Sequence, residues 1–459
     1  MKKPIQWACL LAGAGLAGLF YIRLSGLFPG IADSANALLA GQDMAAGNIR
    51  LRGWWLAPDN YWGLDEALLA LVYAFTHNAA LTLRLVPAIN LDCLAGCILA
   101  LLPRQNFWQR FFVVTAFILI PSIHGEILYF LFLAPFHVLT AACIMLSIWL
   151  SARTLEGSGR DYPYFLLLVL VVIDAAASDP LFYYLGCLPI VLALIAVQTA
   201  NWQQRAKIIV LIMLCAYLGH LIPDLNERHG GFIYWRLGDR FHLGAGAMVS
   251  LLQLGQTILQ TLGAWPGQGD VLGAVIRLPL LAVAIFSAYS VGLAWILHFK
   301  TPVGRAPVFI DLALLLVMGA DLGAMWVQTV NPDGADARFL LPAWAAAAAL
   351  AARYYKPAVY KICYFVAVAA ITFGADVMMI IKQPGGELFR GNLPGLVAVL
   401  ERNNLKYGYA TYTLAGPLTV LSEGKLNVLG VVNLAKPPPA LPGHQNLVFP
   451  YTWFARSNW

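Results

Sequence analysis

The chain predicts an all-α polytopic membrane protein, on three observations. Hydrophobic residues make up 60% of its 459 positions and charged residues 11%, well under the roughly 25% charged share of soluble domains. Apolar runs close to the ~20 residues that cross a bilayer recur along the sequence and give about eleven spans. The short loops between those runs alternate in charge, basic on one side and acidic on the other, as the positive-inside rule requires.

Taken in order, Lys2 and Lys3 precede an apolar run from Trp7 to Phe28. Its length and the lack of a small-residue cleavage site make it an uncleaved first span. Further spans are expected at 81–102, 111–123, 130–151, 163–177, 181–199, 207–222, 278–298, 308–328, 339–352 and 361–381. With the N-terminus in the cytoplasm, the inner loops hold Arg104 and Arg110, Arg153 and Arg160, Arg205 and Lys207, Lys300 and Arg305, then Arg353, Lys356 and Lys361. Asp33, Asp59, Asp65, Glu66, Glu126, Asp179, Asp224, Asp270, Asp333 and Asp336 gather on the other side. An odd span count puts the C-terminus outside as well.

The expected organisation is a transmembrane module, 1–382, with external loops 29–80 and 223–277, and a small external α/β cap, 383–459. Within loop 29–80, Ser34–Leu39 and Leu64–Phe75 have the half-apolar pattern of helices lying along the interface. In the cap, Leu393–Asn403 reads as a helix, and Gly408–Thr413, Leu418–Leu421 and Leu426–Val432 read as short strands around turns such as Glu423-Gly424. The net charge of +6 is scattered among short loops, which excludes a nucleic-acid stripe. Seven cysteines, at 9, 93, 97, 143, 187, 215 and 363, form neither a disulfide framework nor a zinc spacing. No cofactor is expected, and the carboxylates are compatible with chemistry with or without a divalent metal.

The chemistry is therefore expected on the outer face. Asp33 follows the first span closely, where a carboxylate serves as a general base within reach of an acceptor or as an N-cap for the helix at Ser34. Arg50, Arg52, Trp54, Trp55, Asp59, Tyr61 and Trp62 mix cations, rings and a carboxylate, a lining suited to an anionic, partly apolar ligand. Asp65-Glu66 opens the second interfacial helix, where acids favour the positive end of the helix dipole. Of His124-Gly125-Glu126, Glu126 is read as a second active-site carboxylate in preference to a metal ligand, since no third ligand lies nearby. Ser178-Asp179-Pro180 reads as a turn, and His137 as a hydrogen-bonded core residue. Arg228, His229, Tyr234, Trp235, Arg236, Arg240 and His242 place cations on the outer side. They form either an aromatic belt or a phosphate site built on arginine forks. Arg338 is a further phosphate candidate, or a partner of Asp336.

The order of first span, Asp33, interfacial helix, Gly-Asn-Ile-Arg turn, Asp65-Glu66 and Arg84-Leu-Val-Pro87 resembles the GT-C superfamily of integral membrane glycosyltransferases. Asp336-Ala-Arg338-Phe-Leu-Leu-Pro342 is similar to the family's late arginine at the mouth of a span. Tyr407-Gly-Tyr-Ala-Thr-Tyr412, with Tyr409, and Trp453–Trp459 look like its C-terminal caps. Thr413 stands where the family often has Trp.

The resemblance implies transfer of a hexosyl or pentosyl group from a polyprenyl (undecaprenyl) phosphate carrier to a glycan, lipid or protein acceptor at the periplasmic side of a bacterial inner membrane. Asp33 would be the base, with Glu126 and Asp65 as further catalytic carboxylates. Arg52, Asp59, Glu66, Arg84, Arg228, Tyr234, Arg236, Arg240, Arg338 and Tyr409 would bind substrate, and the arginines would hold the departing lipid phosphate. Inversion follows if no enzyme nucleophile intervenes. The rival readings are a polysaccharide polymerase or ligase, and a flippase or transporter of lipid-linked sugars. The acids Asp92, Asp311, Asp321 and Asp376 bear on the last.

Overall fold

The computed structural model describes residues 2–56, 59–120, 122, 131–132, 137–156, 162–197, 202–234, 247–265, 271–297, 305–327, 335–354, 359–382, 388–389, 391–431 and 455–456. Apolar runs become helices throughout, because a helix satisfies its backbone groups internally and needs no water to do so. In order these are α1 (Lys2–Ser25), α2 (Ala32–Ala45), α3 (Ala67–Thr76), α4 (Ala79–Ala100), α5 (Phe107–Val114), α6 (Val138–Glu156), α7 (Tyr162–Ser178), α8 (Leu188–Ala196) and α9 (Trp202–Arg228). After them come α10 (Ala247–Thr261), α11 (Val271–Leu297), α12 (Arg305–Val327), α13 (Leu341–Tyr354) and α14 (Val359–Lys382).

The protein is a helical membrane protein. Six of the described helices are long and apolar enough to cross a bilayer: α4, α6, α9, α11, α12 and α14. Phe107–Leu119, Tyr162–Ser178 and Tyr183–Ala196 are apolar but shorter. Each of the ten later runs expected as a span overlaps a described helix, six of which are long and apolar enough to cross a bilayer. Among the described residues of the expected external loop 223–277, α9 runs on to Arg228, α10 spans Ala247–Thr261 and α11 starts at Val271. Helix α6 is the inner helix, with 72% of its apolar window buried against 28% for α9 and α14. It packs against α4, α7, α12 and α13.

Arginines close one end of the bundle. Helix C-termini leave carbonyls without intrahelical partners, and guanidinium groups meet them here. Arg205 donates to Leu194 O and Ile195 O at the end of α8. Arg110 donates to Ala352 O at the end of α13. Arg353 pairs with Asp311 of α12 and donates to Leu101 O after α4. Arg153 lies at this same end, in the last turn of α6. The opposite end of α6 begins next to His137, and α7 returns to that end to finish at Ser178.

At that opposite end a short sheet joins segments far apart in sequence. Strand β1 (Trp54–Leu56) pairs in parallel with β2 (Ile233–Tyr234), Trp55 opposite Ile233. It pairs antiparallel with Ala455–Arg456, the last strand of the chain, with Trp54 opposite Arg456. Asp43 holds the loop before β1 by accepting from Trp54 Nε1 at 2.8 Å and Asn48 Nδ2 at 2.7 Å. Helix α2 is the segment expected along the interface. It is largely buried, including Ser34, Ala35, Ala37 and Leu38, between α3 and the cap.

The described part of the cap holds α15 (Leu393–Arg402), β3 (Tyr407–Thr411), α16 (Tyr412–Leu421) and β4 (Asn427–Val431). Leu418–Leu421, expected as a strand, is the last turn of α16: it crosses over between two strands that pair in parallel, a connection that calls for a helix. The Glu423-Gly424 turn is as expected, with φ of 54° and 79°. Leu393, Val397, Leu418 and Leu426 share one apolar cluster with Ala35, Leu38, Leu69 and Phe232. The cap and the first external segment therefore have a common core.

Removing one member of a buried ion pair strands the other, at about 3–5 kcal/mol. Arg353→Leu is expected to lower the thermal midpoint in detergent sharply, and adding Asp311→Leu is expected to recover most of the loss. A double variant no better than the single one would show that Arg353 acts through its carbonyl contacts instead.

Candidate functional site

Three segments converge beside the start of α6. The first is Asp59–Gly63, which leads into a π-helical turn, Trp62–Glu66, ahead of α3. The second is the Ser178-Asp179-Pro180 turn after α7, followed by another π-helical turn, Tyr183–Cys187. The third is a 3₁₀ turn, Ala335–Leu340, ahead of α13. Backbone and side-chain bonds lock the first two together: Asn60 Nδ2 to Ala177 O at 2.9 Å, Tyr61 N to Ser178 O at 2.9 Å and Gly63 N to Ser178 Oγ at 3.0 Å.

This docking builds a chain of polar groups. Thr140 Oγ1 donates to Asp179 Oδ2 at 2.6 Å, and His137 Nδ1 lies 2.7 Å from the same oxygen. Asp179 Oδ1 accepts from Leu181 N at 3.0 Å. Tyr61 Oη lies against the imidazole, 3.0 Å from His137 Nε2 and 3.3 Å from His137 Nδ1, and Asp59 Oδ2 lies 3.5 Å from Nε2. Tyr61 Oη donates to Asp59 Oδ2 at 2.8 Å. His137 and Tyr61 are 1% exposed and Asp179 is 0% exposed, whereas the Asp59 side chain keeps 14% of its surface open. Asp59 is the end of the chain that meets the outside.

Tyr61 and His137 both have left-handed backbones, with φ of 51° and 57°. That conformation is uncommon without glycine and clusters at functional sites when surrounding structure enforces it. The Phe339 ring stacks 5.2 Å from the His137 ring, and the Arg338 guanidinium lies 4.8 Å over Phe339. Arg338 thereby stands within electrostatic reach of Asp59 and Tyr61.

Burial sets the protonation of these acids. It pushes the Asp59 carboxyl above the usual range, with His137 pulling down, Asp179 pushing up and Arg338 pulling down. Burial also opposes the charge on Asp179, but the adjacent His137 and hydrogen bonds from His137, Thr140 and Leu181 outweigh it, and its carboxyl stays below the usual range. Tyr61 is held protonated, first by burial and then by Asp59 and Asp179.

Asp65 and Glu66 open the helix as the sequence suggested, Asp65 in the first turn of the π-helical segment and Glu66 at the N-cap of α3 with no side-chain capping bond, and both are fully buried. Burial raises Asp65 to about 7, against the hydrogen bond from Asn90 Nδ2 at 2.7 Å. Burial and the neighbouring Asp65 hold Glu66 well above its ordinary value.

The other candidates are dispersed. Asp33 lies in the first turn of α2, partly exposed; the N-cap position is taken by Ile31, so Asp33 is not the cap. Arg84 lies against the turn after α1, where a Cβ on Gly26 would sit 3.6 Å from its guanidinium carbon. Arg52 is exposed and Arg228 is exposed at the end of α9. Tyr234 donates to Asp224, and Tyr409 stands 69% exposed on β3. Glu126, Arg236 and Arg240 lie outside the described residues, as do His124, Trp235, His242 and most of Trp453–Trp459. Among the described residues no group of three His, Cys, Asp or Glu side chains is arranged to hold a metal ion.

Of the expected site residues, the structure brings Asp59, Asp65 and Arg338 to one place and adds His137, Tyr61, Asp179 and Thr140. The sequence signalled His137 and Asp179 as a core residue and a turn residue, and both readings hold. Their pairing is invisible in the sequence. No protein-family model matches the chain, and no curated protein matches it.

Two outcomes are expected from this packing. A Cβ on Gly63 would lie 2.0 Å from Asp174 Oδ1 and 2.9 Å from Ser178 Oγ, so Gly63→Ala is expected to destabilise by about 1–3 kcal/mol in a thermal melt. For Asp65 the folded protein binds its proton more tightly than the unfolded chain. Stability from this group is therefore lost as pH rises from about 4 to about 7. Asp65→Asn is expected to flatten the midpoint over that window and to raise it at pH 8. An unchanged pH profile would mean that Asp65 stays charged in the folded protein.

Proposed function

We propose that the protein is a membrane glycosyltransferase that moves a sugar from a polyprenyl-phosphate carrier to an acceptor at the membrane surface, with the acidic end of the bundle facing outward. One observation carries the reading: a half-buried cation, Arg338, stands within electrostatic reach of Asp59, a carboxylate that keeps part of its surface open, at the end of the bundle opposite the arginine-closed end. A lipid carrier presents its phosphate at that level, and a guanidinium fork meets phosphate oxygens in two-point geometry. Phosphate then leaves with its charge already balanced by a fixed group, and the acceptor oxygen displaces it in line.

Two carboxylates of the same external segment compete for the base. The resemblance to GT-C enzymes implies Asp33. The chemistry favours Asp59, whose carboxyl burial raises above the usual carboxylate range, the direction that makes a carboxylate a stronger base, and whose Oδ2 is already oriented by Tyr61. On this reading Asp59 takes the acceptor proton, Asp33 orients a sugar or acceptor hydroxyl, and the exposed Arg52 and Arg228 attract the anionic carrier.

The test is sugar transfer by the purified protein from a panel of undecaprenyl-phosphate sugars. Asp59→Asn is expected to lower kcat by about 10²–10⁴-fold, the range of general-base contributions. Arg338→Ala is expected to lower kcat/KM by about 10²–10³-fold. Asp33→Asn should weaken transfer without moving the pH optimum. Loss confined to Asp33→Asn would return the base role to Asp33, and no transfer from any carrier, with lipid still bound, would favour a polymerase, ligase or flippase.

A further inference from the structure

Arg338 sits on the 3₁₀ turn Ala335–Leu340, which runs directly into α13 at Leu341. Its guanidinium is therefore placed by whatever holds the start of that helix. The first N–H groups of a helix have no intrahelical acceptor, and the residue just ahead of it ordinarily supplies a side-chain oxygen. Leu340 stands at that place and has no oxygen to offer. Pro342, in the first turn, has no N–H to satisfy. Ala343, the next residue and a buried one, donates its N–H to Asp321 Oδ2 at 2.8 Å. Asp321 belongs to α12 and is 1% exposed. The acceptor that the local sequence lacks comes from a neighbouring helix.

Apolar contacts hold the same turn from other sides. Leu340 joins Met325 of α12 and Leu254 of α10 in a buried cluster, with Phe339, Leu322 and Ile258 packed against it. Phe339 lies 5.2 Å from the His137 ring and carries the Arg338 guanidinium at 4.8 Å over its own face. Apolar burial keeps these parts together but has no preferred direction. The bond from Ala343 to Asp321 does have one, and it sets the height and rotation at which α13 begins.

We infer that Asp321 is a positioning residue for the transfer, which holds the start of α13 and thereby sets where Arg338 meets the carrier phosphate. The inference rests on the glycosyl-transfer reading for the role of Arg338. Asp321 acts through the helix start, Phe339 and Arg338, and not on the reacting atoms. Its bond to Ala343 needs an oxygen acceptor and no charge. Asp321→Asn keeps that oxygen, whereas Asp321→Ala leaves the Ala343 N–H unmet in a buried place.

The experiment measures sugar transfer by the full-length protein, using the undecaprenyl-phosphate sugar of the panel that it turns over fastest. A small displacement of a group that meets the substrate is enough to slow a reaction about 10²-fold, and Asp321→Ala is expected to lower kcat/KM by that much. Asp321→Asn is expected to stay close to wild type. In an Arg338→Ala background, Asp321→Ala is expected to cost little more, because groups that act as a unit are not additive. A second readout needs no substrate: a fluorinated phenylalanine placed at position 339 is followed by ¹⁹F NMR in detergent. Its signal is expected to move in Asp321→Ala and to hold in Asp321→Asn. Should Asp321→Ala not fold, Asp321→Ser takes its place, since its shorter side chain draws the oxygen back from Ala343. Wild-type transfer in Asp321→Ala overturns the inference. So does an equal loss with and without Arg338, or an unmoved ¹⁹F signal. A protein that transfers no sugar at all would sink the glycosyl-transfer reading, and the ¹⁹F signal would then decide alone whether Asp321 positions the turn.

Discussion

A buried imidazole at the tip of an inner helix dictates much of the surrounding structure. His137 begins α6, the helix most enclosed by its neighbours, and at 1% exposure it finds no water to satisfy its nitrogens. A buried polar ring without partners costs several kcal/mol, so other segments must supply them. Asp179 does so only if α7 ends at Ser178 and the chain turns there. Tyr61 and Asp59 do so only if the external segment docks on that turn. The bonds from Asn60, Tyr61 and Gly63 to Ala177 and Ser178 are that docking. Gly63 is required because Asp174 and Ser178 fill the space that any Cβ would need.

The irregular helical turns follow from the same demand. π-Helical turns are rare and concentrate at functional sites, where one extra residue re-aims a side chain. Two of them flank the polar chain, Trp62–Glu66 and Tyr183–Cys187. The first turns Asp65 and Glu66 inward, where burial raises Asp65 to about 7 and holds Glu66 well above its ordinary value. Adjacent charged acids in so apolar a setting would repel and unfold the turn, whereas protonated ones pack. The site is therefore graded from a carboxylate open to water at Asp59 to acids sealed at Asp65 and Glu66.

The cap and the first external segment are energetically one unit. Helix α16 packs on α2, and their apolar side chains join one cluster with Phe232 and Leu69. The sheet from β1 to β2 and the last strand ties the same segment to two other parts of the chain. Segments hundreds of residues apart thus fix the loop that carries Asp59 and Tyr61. Burial of that kind lowers local opening.

The sequence by itself determined the helical membrane class, the position of most of the described helices, and the cap's helix near 393–403 and much of the strands it places near 408 and 427. Hydropathy runs, loop charge and turn residues are local signals, and the elements they specify are local. It also marked Asp59 and Arg338 as worth a ligand. Tertiary structure alone decided which groups meet. His137 was legible as a satisfied core residue and Asp179 as a turn, yet nothing in spacing says that a turn after α7 delivers its carboxylate to the start of α6. The burial of Asp65 and Glu66 was equally hidden, because a pair of acids opening a helix looks the same whether the helix lies on a surface or under another. Residues 418–421 went to a helix because a parallel pairing of β3 and β4, itself a long-range contact, requires a crossover. Local pattern sets what each segment is; the need to satisfy buried polar groups sets where it goes.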